Sequence, residues 1–151
     1  MKYIKKFENL KYYNIDAIVD EYIETALWTN DDEIPDYLGI YDVSIDSRNR
    51  CKEEIEWFID MCGDIINDTE DKEIGKDLWL TRNGHGSGFF DKSYDKDDLL
   101  ILEELSRLLG PVEVYYDVKI IFHSSDRYKN IDVNELKKKL EIVINSKKYN
   151  L

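Results

Sequence analysis

A chain of 151 residues with 42% apolar and 13% aromatic side chains has enough apolar mass for one packed core, so a single domain over residues 1–151 is expected. Its 33 Asp and Glu against 21 Lys and Arg leave a formal net charge of −12, which excludes a protein whose whole surface binds phosphate; eleven Tyr and three Trp exclude a disordered acidic tail. No stretch approaches the ~20 apolar residues of a membrane-spanning helix and no signal-peptide pattern opens the chain, so the cytoplasm is the expected compartment.

Along the chain, Asn14 is an N-cap followed by Ile15, Ile18, Val19, Tyr22, Ile23, Ala26 and Leu27 at helical spacing, which predicts a helix over 15–28. Asp16, Asp20 and Glu24 fall four apart on its other side. Residues 29–46 contain Pro35 and Gly39 and read as a loop, with a short strand at 41–45. Asp46 or Ser47 then caps a second helix over 48–67, whose inward stripe is Cys51, Ile55, Phe58, Cys62 and Ile65. Glu53, Glu56, Asp60 and Asp64 form its outward row, and Gly63 is a place for it to kink or stop. The two cysteines sit about three helical turns apart, roughly 16 Å along the axis, so two buried, reduced thiols are expected.

Residues 77–82 are rich in strand formers, Asn83-Gly84-His85-Gly86 reads as a turn, and 87–91 reads as the returning strand, with Trp79 and Phe89 on its buried side. Asp95 or Asp97 caps a third helix carrying Leu99, Leu102, Leu105, Leu108 and Leu109, which Gly110-Pro111 stops. Residues 112–116 and 118–123 form a second strand pair turning at Asp117. A last, basic helix over 132–148 follows, with Val133, Leu136, Leu140, Val143 and Ile144 inward and Lys137, Lys138 and Lys139 outward. The expected fold is therefore α+β in the order ααββαββα, with both hairpins in one four-stranded antiparallel sheet packed by helices.

The run Asp77-Leu78-Trp79-Leu80-Thr81-Arg82-Asn83-Gly84-His85-Gly86-Ser87-Gly88-Phe89-Phe90-Asp91 resembles a motif of small acidic proteins encoded by bacteriophages and prophages, and residues 22–33 look like the start of the same family. The resemblance covers about residues 15–123 and implies a phage origin more than a chemistry. The basic helix after Asp132 departs from that plan.

Charge is distributed unevenly. Residues 12–104 carry 26 carboxylates against eight cations, a net of −18, and residues 12–47 carry ten carboxylates with no Lys or Arg at all. Such rows are either the ordinary polar side of amphipathic helices or a surface that imitates nucleic-acid charge. Phage proteins of this size often disarm host enzymes that bind nucleic acid. Together with the resemblance, this raises the expectation of a non-enzymatic anti-CRISPR or antirestriction inhibitor that blocks a basic nucleic-acid channel of a host defence protein. Asp16, Asp20, Glu24, Asp31, Asp32, Glu53, Glu56, Asp60 and Asp64 would supply the charge, and Tyr12, Tyr13, Trp28 and Tyr37 the aromatic anchors. No direct nucleic-acid binding, membrane contact, cofactor or metal is expected. The alternative is a small phage enzyme or nucleotide-binding protein built on the turn, in which Arg82, Asn83 and His85 meet an anion, with His85 and His123 as the only histidines available for acid–base work.

Overall fold

The computed structural model describes residues 12–149, apart from the side chains of residues 143, 144 and 146–149. Among the described residues lie five α-helices and one hairpin: α1 (Ile15–Thr29), α2 (Ile45–Cys62), α3 (Asp71–Arg82), α4 (Lys96–Leu109), β1 (Val112–Asp117), β2 (Lys119–Ser124) and α5 (Val133–Tyr149). The expected ααββαββα order with a four-stranded sheet is thereby overturned. The only sheet among the described residues is the antiparallel β1–β2 pair, in register from Val112 opposite Ser124 to Asp117 opposite Lys119.

α1 begins where its sequence places it. Asn14 accepts a hydrogen bond from the Ala17 amide, and Ile18, Val19, Tyr22, Ile23 and Ala26 are fully buried. α2 starts three residues earlier than expected, because Ser44 rather than Asp46 or Ser47 is the cap, accepting from the Ser47 amide. It ends at Gly63, the expected weak point, so Asp64 lies just beyond it. Its inward stripe of Cys51, Ile55, Phe58 and Cys62 is buried as the spacing implied, with Ile66 buried in place of half-exposed Ile65. Both thiols are free, and burial pushes each well above the ordinary cysteine range.

α3 replaces the expected first hairpin. The segment 77–82 is the second half of a helix that starts at Asp71, and the returning strand is a loop closed by a 3-10 turn at Phe89–Asp91. What defeats the strand propensity of Leu78, Trp79, Leu80 and Thr81 is packing against α1. At the crossing, a Cβ on Gly75 would stand 2.4 Å from the Ile18 carbonyl oxygen and 3.0 Å from the Tyr22 amide. Glycine weakens a helix by about 1 kcal/mol, yet here it is what lets two helices touch backbone to backbone. The inward direction of Trp79 and Phe89 survives the correction, since both are buried, although one lies on a helix and the other on a 3-10 turn.

α4 is capped by Asp95, which accepts from the Asp98 amide, and buries Ile101, Leu102, Leu105 and Leu109. The expected strand at 41–45 shrinks to one parallel bridge, Val43 to Ile120, with the Ser44 amide donating to the Ile120 carbonyl beside it. Leu136 and Leu140 seat α5; Val143 and Ile144, expected on the same stripe, lie outside the described side chains. No helix among the described residues is long and apolar enough to cross a membrane.

Candidate functional site: an acidic helix face

Within the motif at residues 79–89, Trp79, Leu80, Arg82, Gly88 and Phe89 are buried, whereas Gly84, His85 and Gly86 are exposed. Trp79 donates its indole N–H to the Thr29 hydroxyl at 2.8 Å and meets Tyr22 edge-on at a centroid distance of 5.2 Å. Thr81 Oγ1 accepts from the Phe89 amide. Gly88, at φ 103°, lies so close to α3 that a Cβ would stand 2.5 Å from that same hydroxyl. Asn83 accepts from the Val112 amide at 2.8 Å and donates to the Trp79 carbonyl at 2.9 Å, tying the end of α3 to the start of β1.

Arg82 is the centre of this arrangement. Its side chain is fully enclosed, and it donates to the Gly110 carbonyl (2.6 Å), the Tyr22 hydroxyl (3.0 Å), Glu54 Oε2 (2.8 Å) and the Leu109 carbonyl (3.0 Å). Glu54, 2% exposed, also accepts from the Ser124 hydroxyl. The anion site suggested for Arg82, Asn83 and His85 therefore does not assemble. Two of the three side chains turn inward to protein partners, and only His85 is exposed. The turn also follows the C-terminal end of α3, whose last carbonyls make that end electronegative and unfavourable to an anion. His85 and His123 do not share a sheet: one follows α3, the other is exposed on β2 opposite Glu113.

The carboxylate rows come to the surface. Asp16, Glu24, Asp31, Asp32, Glu53, Glu56, Asp60 and Asp64 are all exposed, and Asp20 is half-exposed. Asp20 is bridged by Arg48 of α2 at 2.6 Å, and Glu53 lies 3.3 Å from Lys129. Near the N-terminal end of α1 the two rows converge. Asp16 lines the same open cleft of about 730 Å³ as Glu56 and Asp60, with Tyr12 and Trp57 beside them and Lys52 as the one cation among the described residues of the lining. At and beyond the other end of α1, the cation-free segment carries Asp31, Asp32, Glu33 and Asp36 together with the exposed aromatics Trp28, in the last turn of α1, Tyr37 and Tyr41. Tyr13, expected as an anchor, is half-buried and donates its hydroxyl to Asn67.

No group of three His, Cys, Asp or Glu side chains among the described residues is placed to hold a metal ion. Two charged residues escaped the sequence reading. Glu54 stands three after Cys51 and four before Phe58, so an acid on the apolar stripe of α2 was its signal. Asp77 is 2% exposed, and burial drives its carboxyl up from 3.8 to about 6 against the pull of Lys92; its signal was hidden by the strand assignment. No described protein family, no curated protein and no solved structure matches the chain.

Proposed function

We propose that the protein is a phage- or prophage-encoded inhibitor, acting in the cytoplasm of a bacterial host on a defence enzyme that binds nucleic acid. It occupies that enzyme's basic channel with the acidic face of α1, α2 and the loop between them, and performs no chemistry of its own. The supporting observation is that ten carboxylates and four exposed aromatics (Tyr12, Trp28, Tyr37 and Tyr41) lie in a 36-residue stretch without a cation, continuous with the α2 row through the Asp16–Glu56–Asp60 cleft. A folded surface normally intersperses both signs, because like charge raises the free energy of the compact state. Carboxylates steer the encounter with a basic groove, and aromatics supply the desolvated anchors that hold it.

The test is competition. A basic defence enzyme that binds the chain should release it when duplex DNA or guide RNA is added, and association should slow steeply with added salt. Binding that ignores both nucleic acid and salt rejects the proposal.

A further inference from the structure

A second cleft, of about 800 Å³, opens between the start of α3 and the loop that leads into α4. Glu73, Asp91, Lys92 and Tyr94 line it. Behind Lys92 sits Asp77, whose Oδ2 accepts no hydrogen bond although its side chain is only 2% exposed. The Lys92 ammonium stands 4.0 Å from that oxygen and donates instead to Glu73 at 2.5 Å. A buried carboxylate oxygen without a donor is unfavourable, and the ammonium available here is a point charge that satisfies one of its two acids. Glu73 and Asp77 lie one helical turn apart, about 6 Å along α3, a span that a planar fork of donors is suited to bridge.

From this geometry we infer that the cleft is a binding site for an organic cation, a guanidinium or alkylammonium head group that pairs with Asp77 and displaces Lys92. The site is independent of the acidic α1–α2 face and of the inhibitor proposal. Its ligand carries the head group either on an arginine side chain of another protein or on a free polyamine. Binding requires ionised Asp77. Burial, Glu73 and Asp91 hold the Asp77 carboxyl near pH 6, opposed by Lys92 and Lys76, with Tyr94 also facing it. Affinity therefore falls as the pH drops through 6.

The experiment titrates the full chain with butylguanidinium, with spermidine and with a short amidated peptide bearing one arginine, following backbone amide shifts. Saturable shifts confined to residues 73–77 and 91–94 are expected. Asp77→Asn should weaken them about tenfold or more, Lys92→Met should strengthen them, and Glu135→Gln, an equal change of charge on α5, should leave them unchanged. Tighter binding of the peptide assigns the ligand to a protein side chain, and tighter binding of spermidine to a polyamine. Asp77→Asn removes a buried charge whose Oδ2 accepts no hydrogen bond and keeps the shape of the side chain, so it should fold. Shifts that spread over the acidic surface without saturating, or that persist unchanged in Asp77→Asn, overturn the inference.

Discussion

At the scale of the residue, Arg82 and Glu54 form a buried ion pair in which the guanidinium binds three further acceptors from α1 and the end of α4. Removing one member strands the other without water, a loss of about 3–5 kcal/mol. Arg82→Ala and Glu54→Ala should each lower stability by that amount in urea unfolding, and Arg82→Lys should recover little, since an ammonium does not reproduce the fork. The double change Glu54→Leu with Arg82→Met should cost less than the sum of the single losses. Asp77 gives the opposite sign. Its carboxyl titrates near 6 when folded and near 3.8 when free, so the fold favours the neutral form. That preference is complete below the free value and is lost as pH rises through 6, where ionised Asp77 destabilises the fold by on the order of 3 kcal/mol. Asp77→Asn should therefore raise the unfolding free energy at pH 8, and the gain should shrink to roughly 1 kcal/mol near pH 4.5. Arginine in a Gly-rich run was legible as important from sequence but not as internal, because residue type does not say which way a side chain points until the helix carrying it is placed.

At the scale of the element, α1, α2 and α4 and the 112–124 hairpin were legible, since apolar spacing, cap residues and Gly-Pro are local signals read within one turn or strand. α3 was not. Its Leu78-Trp79-Leu80-Thr81 run has strand propensity and Gly75 discourages a helix, so local preference and tertiary packing disagree. The contact with α1 at Ile18 and Tyr22 decides between them, and no local window contains it. Gly75→Ala tests this directly. Intrinsic propensity predicts a gain of about 1 kcal/mol, whereas the close approach predicts a loss of about 1–3 kcal/mol from overpacking. Thermal unfolding of the variant should show the loss. Once α3 is a helix, the four-stranded sheet and the histidine pairing that depended on it both disappear.

At the scale of the whole molecule, the fold turns uneven charge in the sequence into an uneven surface. The α1 and α2 rows meet at Asp16, Glu56 and Asp60, while α5 brings Lys137, Lys138 and Lys139 from the basic end of the chain. The rows were legible because outward positions on an amphipathic helix follow from its inward ones; their meeting at one cleft was not, because it depends on how α1 and α2 pack. Replacing Asp16, Glu24, Glu56, Asp60 and Asp64 together by Lys should slow association with a basic partner more than tenfold at low salt. The same variant should stay folded, as its far-ultraviolet circular dichroism would show, since all five side chains are exposed. Single replacements should be nearly silent, each exposed pair contributing only about 0.2–1 kcal/mol.

The cation-free stretch also determines how contacts with this face can be captured. Between Lys11 and Arg48 there is no primary amine and no trypsin cleavage site. Amine-to-amine cross-linkers are therefore blind to the whole segment, whatever sits against it. A carbodiimide, which joins carboxylates to the lysines of a neighbour at zero length, reacts there at up to ten positions, and every resulting adduct should be carried by one tryptic peptide, residues 12–48.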